Sequence, residues 1–378
     1  MIPLNQNLNR LQRSAIRVYT NMAREIPDCA MLTIGEPDFD TPEAIKAAAI
    51  AALNAGQTHY APNQGTLALR RAVADFETAR GNAVTPDRVL ITIGACHALF
   101  TAFFGILNPG EEVVVPTPGF GLYETLAAIA GAKVVPLDVT KTGFQITKEA
   151  LAAAITPRTK AILINSPCNP TGVVFNKESL ANVKAAVLGK PIFVISDNVY
   201  NRLTYGTDCP DLSTDPDLSG QLILCQSFSK PWAMTGWRVG YLTCPAYVMD
   251  RLLLLSAGNI TAVPTFIQEA AITALQTDPT PMRDTYAKRR DYVCRRLREM
   301  GLSFPEPEGA FYVFPNIEKF GIPSAQFCTR MIREGKVAAV PGSCFGAEGY
   351  IRLSYCYSDE ELKKGLDRME AFLKTLHL

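Results

Sequence analysis

From residue 89 onward, short apolar runs recur along the chain: VLITI (89–93), EVVVP (112–116), KVVPL (133–137), KAILINSP (160–167), PIFVISD (191–197), LILCQSFS (222–229) and GYLTC (240–244). Each is nearly continuous in hydrophobicity rather than alternating, which is the pattern of strands buried on both faces. Stretches with helical spacing separate most of them, such as ACHALFTAFFGIL (95–107) and NKESLANVKAAVL (176–188). This alternation predicts an α/β fold with a seven-stranded, mostly parallel sheet and helices on both faces. After residue 245 the texture changes. Residues 283–300 read as a charged amphipathic helix stopped at Gly301. AFYVFPNI (310–317), KVAAV (336–340) and YIRLSYC (350–356) then alternate with two helices, the last over 358–376, and predict a small α+β domain. Residues 1–44 are polar and punctuated by proline, and read as an N-terminal arm that returns to this small domain. The large α/β domain is then expected over 45–275 and the small one over 276–378.

Composition narrows the function classes. The 378 residues carry 37 Lys+Arg against 36 Asp+Glu, a net charge of +1, so no electrostatic footprint points to nucleic acid or an anionic membrane. Apolar residues make up 48%, and 26 Gly with 26 Pro are ordinary, which excludes a disordered or low-complexity chain. The 10 cysteines are scattered with no C-x-x-C pair, and with only 3 histidines no zinc cluster is expected. Free thiols in a chain of this length fit a reducing cytoplasm, and MIPLNQNLNRLQRSAIR lacks the apolar core of a secretory signal. Residues 89–110 hold no Asp, Glu, Lys or Arg, a length that could span a bilayer. Gly94, His97, Asn108 and Pro109 interrupt that run and its start reads as a strand, so no membrane span is expected.

In open α/β sheets, ligands sit beyond the carboxyl ends of the strands. Those ends here carry a helix start at Gly94-Ala95-Cys96, then Asn169, Asp197 with Tyr200 after it, and Ser227, Ser229 and Lys230. Hydroxyls at a helix N-terminus make an anion cradle. A carboxylate can keep a pyridinium nitrogen protonated, and a lysine can form a Schiff base. Burial and a neighbouring cation such as Arg238 favour the unprotonated amine that this lysine needs. The set suits a phosphorylated aromatic cofactor.

SFSKPWAMTGWRVG (227–240) resembles the lysine signature of class I/II aminotransferases, pyridoxal-phosphate enzymes of fold type I, through Ser227, Ser229, Lys230, Gly236, Arg238 and Gly240. IGEPDFDTP (34–42), THYAPNQG (58–65), NSPCNPTG (165–172), SDNVY (196–200), PEGAFYVF (307–314) and YIRLSY (350–355) resemble further blocks of that family in the same order. The resemblance runs over essentially the whole chain. It implies that Lys230 anchors pyridoxal 5'-phosphate and moves the proton in the 1,3-transfer, with Asp197 on the ring nitrogen. By the same resemblance Tyr200 and Asn169 bond the ring oxygen, and Phe120 stacks on the ring. The amides of Ala95 and Cys96, with Ser227, Ser229 and Arg238, would hold the phosphate. Tyr60 would reach the phosphate of a partner subunit, which implies a homodimer with shared sites. Arg352 would clamp the substrate α-carboxylate, helped by Asn169 and the Gly35 amide.

Three positions depart from the common family pattern. Phe120 stands where many members carry Tyr, Asn198 follows Asp197 where Glu is frequent, and Cys96-His97 fills a spot often taken by small or carboxamide residues. The implied reaction is amino transfer from an L-amino acid to a 2-oxo acid such as 2-oxoglutarate, with the wording closest to the aspartate, aromatic and N-acetyl-diaminopimelate branches. Arg13 and Arg17 in the arm are candidates for a second cation that a dicarboxylate would require. A β-lyase on the same fold would use the same Lys, Asp and Arg. A non-catalytic regulatory domain would need a DNA-binding module ahead of it, and the resemblance begins too early for one.

Overall fold

The computed structural model describes Ile2 and residues 6–11, 14–206 and 209–376, so Arg13 lies outside the described residues. The arm contributes the short strand β1 (Ala30–Met31). All seven apolar runs are strands of one sheet: β2 (Val89–Thr92), β3 (Glu112–Thr117), β4 (Lys133–Asp138), β5 (Thr159–Asn165), β6 (Phe193–Asp197), β7 (Leu222–Ser227) and β8 (Gly240–Thr243). Their order is β2-β8-β7-β6-β5-β3-β4, and only β8 runs antiparallel to its neighbours. The central strands are apolar on both faces because both faces are covered. Ile162, Ile164, Val194 and Leu224 enter one core, while Ala161, Leu163, Ile195 and Ile223 enter the other.

Every parallel strand therefore presents its carboxyl end on the same edge. The helix Gly94–Ile106 starts there directly after β2. Residues following β5, β6 and β7 emerge beside it.

A second, smaller layer is built from β9 (Tyr312–Val313), β10 (Val337–Ala338), β11 (Val340–Pro341) and β12 (Ile351–Ser354) with the helices Ser324–Gly335 and Asp359–Thr375. Two expected strands differ here. Of the 310–317 run only Tyr312–Val313 forms a strand, paired with Leu353 and Ser354; Pro315 has no N–H to extend the ladder, and beyond it only Asn316 pairs, as an isolated bridge to Tyr350. The 336–340 run divides at Ala339: Val337–Ala338 pairs with β1 of the arm, and Val340–Pro341 pairs with β12. The charged helix begins earlier than its pattern suggests, at Thr280 with Pro281 in its first turn, and ends at Glu299. Gly301, at φ +70°, follows its C-terminus as expected.

The arm is fastened to this layer by charge as well as by the β1–β10 pair. Arg289 donates to both Asp38 oxygens at 2.7 and 2.8 Å, and Met31 N donates to Glu361 at 2.8 Å. Arg17, by contrast, is exposed on the helix Ala15–Arg24 of the arm. No helix among the described residues is long and apolar enough to cross a membrane.

A sheet buried on both faces predicts position-dependent costs. Ile195→Ala, at a fully buried position of β6, is expected to cost about 2–5 kcal/mol. Val134→Ala, on the half-buried edge strand β4, should cost under about 1 kcal/mol. Denaturant midpoints at unchanged slope check both.

Candidate active site

Lys230 follows β7 in a turn that the buried Phe228 anchors. Phe228 N donates to Val239 O, and Ser229 N donates to Ser227 Oγ at 3.1 Å, which folds the segment after β7 into a tight loop with both buried serines on it. The half-buried Lys230 Nζ donates to Gly35 O at 2.6 Å. Burial holds its ammonium below the usual lysine range, with Arg238 acting in the same direction and Glu36 opposing.

Gly94 has φ +69°, and a Cβ there would fall 2.9 Å from Arg238 Nη2. The guanidinium thus lies against the helix start, held by a bond from Nη1 to Thr235 O at 2.8 Å. Gly240 allows β8 to approach this corner, since a Cβ on it would meet Gln226 O at 2.5 Å. Two hydroxyls, a guanidinium and a helix N-terminus make a cationic cradle at this corner.

Asp197 ends β6 and is buried. Its Oδ2 accepts from Tyr123 Oη at 2.8 Å, and its Oδ1 accepts from Val199 N at 3.4 Å. Burial nevertheless dominates and pushes the carboxyl up to about 6. Asn198 turns the other way, bonding Ser196 Oγ and Asp211 at 2.7 Å each. Tyr200 meets Tyr312 hydroxyl to hydroxyl at 2.9 Å, and burial pushes its phenol well above the ordinary value, so it remains a donor. Phe120 is half-buried and packs edge-on to Tyr123.

Arg352, on β12, is 1% exposed. Its Nη1 donates to Asn169 Oδ1 at 2.9 Å and its Nη2 to Thr33 O. The rings of Tyr312 and Phe345 lie 4.5 and 5.0 Å from its central carbon. Among the described residues, Nε has no hydrogen-bond partner and no carboxylate forms an ion pair with the group.

The structure gathers Gly35, Ala95, Cys96, Phe120, Asn169, Asp197, Tyr200, Ser227, Ser229, Lys230, Arg238 and Arg352 around one edge of the sheet. Tyr60 stands apart: its ring is 92% exposed and makes no hydrogen bond among the described residues. His97 is a buried helix residue whose Nδ1 accepts from Ile93 N at 3.3 Å. Three contributors went unassigned from sequence: Tyr123, Tyr312 and the Thr33 carbonyl. Tyr123 follows Phe120 by three residues, and Tyr312 lies within the PEGAFYVF block, but neither spacing names a partner.

The unpartnered Nε of a buried arginine, the guanidinium lying against a helix start, and a buried carboxylate and a desolvated amine at the ends of adjacent strands form a donor set that fits pyridoxal phosphate and an α-carboxylate substrate, the equipment of a pyridoxal-phosphate enzyme. The chain belongs to the family described as aminotransferase class I and II, whose model matches residues 27–369. It is 40% identical to a probable N-acetyl-LL-diaminopimelate aminotransferase of Bacillus subtilis, over 98% of this chain and 95% of that protein. It is 39% identical to aromatic-amino-acid aminotransferase 2 of Thermococcus litoralis, over 99% of each. A solved aspartate aminotransferase from Thermus thermophilus with maleate superposes with a TM-score of 0.94 at 35% identity, over 98% of this chain and 100% of that one. The protein is a pyridoxal-phosphate-dependent transaminase of fold type I.

The raised Asp197 carboxyl has a consequence for stability. Its unfolded value is about 3.9. Between that pH and about 6, the folded chain keeps a proton that the unfolded chain has lost, so stability falls as pH rises through this window. In the cofactor-free protein, Asp197→Asn should raise Tm at pH 8 by an amount equivalent to roughly 1–3 kcal/mol. The gain should vanish near pH 4. Thermal melts at both pH values check this, and the same variant should lose most cofactor retention.

Proposed function

We propose that this transaminase moves the amino group of L-aspartate, an aromatic L-amino acid or a close relative of them to a 2-oxo acid such as 2-oxoglutarate, in two half-reactions at one site. Arg352 carries the reading: a planar, buried cation with a free nitrogen and no anion beside it matches an α-carboxylate in a fork, a geometry lysine cannot reproduce. Asn169, already bonded to it, and the Gly35 amide would complete the carboxylate pocket.

Pyridoxal phosphate supplies an aldehyde carbon that accepts the amino group and a ring that stores the electron pair released at the substrate Cα. Lys230 would anchor it, and its desolvated Nζ would then take the Cα proton and hand it back. Asp197, its buried carboxylate stabilised by positive charge on the ring nitrogen, would hold the proton there, with Tyr123 fixing the carboxylate plane. Tyr200 and the Asn169 amide would donate to the ring oxygen, and Phe120 would cover one ring face. Ser227, Ser229, Arg238 and the amides of Ala95 and Cys96 would hold the phosphate.

The active unit is a homodimer in this reading, because Tyr60 is too exposed to serve its own chain and would bond the partner's phosphate. Ile50 and Leu53 on the helix Glu43–Asn54, and Tyr247 and Leu254 on the helix Ala246–Ile260, are large exposed apolar side chains suited to such a contact. Residues 1–44, 45–275 and 276–378 act as arm, large domain and small domain. Ten cysteines with no disulfide fit a cytoplasmic protein.

Holoprotein incubated with single L-amino acids and no oxo acid should release the matching 2-oxo acid fastest with aspartate or an aromatic amino acid; the substrate assignment fails if another class leads. Lys230→Ala and Tyr60→Ala chains, unfolded, mixed and refolded together, should regain roughly a quarter of wild-type activity, since each mixed dimer holds one intact site. No recovery, or a fully active Tyr60→Ala monomer, would contradict the shared site.

A further inference from the structure

Tyr312 lies where the substrate pocket meets the cofactor pocket, and the catalytic reading leaves it without a task. It is 2% exposed and belongs to β9. Its hydroxyl is 2.9 Å from that of Tyr200, and its ring lies against the Arg352 guanidinium at 4.5 Å. On its third side is Gly35, where a Cβ would fall 1.8 Å from Tyr312 Oη. The carbonyl of that same glycine accepts from Lys230. One phenol thus touches the arginine, the tyrosine and the backbone segment that steadies the lysine.

We propose that Tyr312 is a positioning residue that donates its hydroxyl proton to Tyr200 Oη and so sets how strongly Tyr200 bonds the cofactor's ring oxygen. The inference rests on the proposed place of Tyr200 beside that oxygen. Tyr200 has one hydroxyl proton. Once that proton points at the cofactor, the 2.9 Å contact persists only if Tyr312 is the donor. Burial keeps both phenols neutral, pushing that of Tyr312 up to about 12, so the proton is present throughout the working pH range. A hydroxyl that accepts one hydrogen bond donates a stronger one. A stronger bond onto the ring oxygen makes that oxygen a poorer acceptor for the proton on the neighbouring Lys230 nitrogen, and lowers the pKa of that nitrogen. The cation–π contact with Arg352 holds the phenol in place, so the group that tunes the cofactor nitrogen rests on the group that receives the substrate carboxylate.

The test is a pH titration of the visible absorption band of the holoenzyme in the wild type, Tyr312→Phe and Tyr200→Phe. Tyr312→Phe removes one oxygen and keeps the ring over Arg352. Its band midpoint should move upward by about 0.5–1 unit, less than in Tyr200→Phe. Its kcat should fall roughly 3–10-fold, with KM for the amino acid changed less than about twofold. Tyr312→Leu should add a rise of about tenfold in KM, because the face over Arg352 is lost as well. If Tyr200→Phe shifts the midpoint and Tyr312→Phe titrates like the wild type, the relay is overturned while the reading of Tyr200 stands. If Tyr200→Phe also leaves the midpoint unmoved, that reading fails and the relay with it. Thermal melts of Tyr312→Phe within a few degrees of the wild type would exclude general unfolding as the source of a shift.

Discussion

A guanidinium buried to 1% exposure without a carboxylate beside it is the constraint around which this chain is arranged. Removing such a charge from water costs several kcal/mol even after relaxation. Two hydrogen bonds and two aromatic faces offset part of that cost for Arg352, and in the proposed function an anionic substrate group at the unpartnered Nε would offset the remainder. Its partners come from widely separated segments: Thr33 from the arm, Asn169 from the turn after β5, and Tyr312 from β9. Each must be brought to one point. The β1–β10 pair, the Arg289–Asp38 fork and the antiparallel β9–β12–β11 ladder deliver them.

The large sheet solves the complementary problem. Its central strands are apolar on both faces and therefore rigidly held, so the residues at their carboxyl ends are fixed by packing rather than by one another. Desolvation then acts on two groups in opposite senses. It lowers the pKa of Lys230, favouring the neutral amine, and raises that of Asp197 to about 6, leaving above that pH a buried carboxylate that a positive charge opposite it would stabilise. In the proposed mechanism a single dry edge thereby prepares a base and a site for a cationic ring nitrogen. The cost to the cofactor-free fold is the ordinary trade between stability and function.

Much of this was legible before any coordinates. The seven strands announced themselves as continuous apolar runs, and a strand-end lysine, carboxylate and phenol follow directly from where those runs stop. What stayed hidden was pairing at a distance. Tyr123 bonds Asp197 across 74 residues, Tyr200 meets Tyr312 across 112, and Arg352 reaches Asn169 across 183. No periodicity records such contacts, because each depends on two elements being folded first. The split of the 336–340 run at Ala339 was hidden for a similar reason. A five-residue apolar run cannot reveal that its halves pair with different strands, one of them from the arm. Family resemblance supplied a carboxylate role for Arg352, whereas the aromatic box around it emerged only from packing.

The central claim is that Arg352 receives the α-carboxylate common to all substrates. The most direct measurement is the half-reaction of Arg352→Lys holoprotein with aspartate, with phenylalanine, and with a primary amine lacking any carboxylate. Apparent affinity for both amino acids should fall together, by roughly 10–100-fold, while the amine reacts as it does with the wild type. A loss confined to one amino acid, or an equal loss for the amine, would contradict that claim.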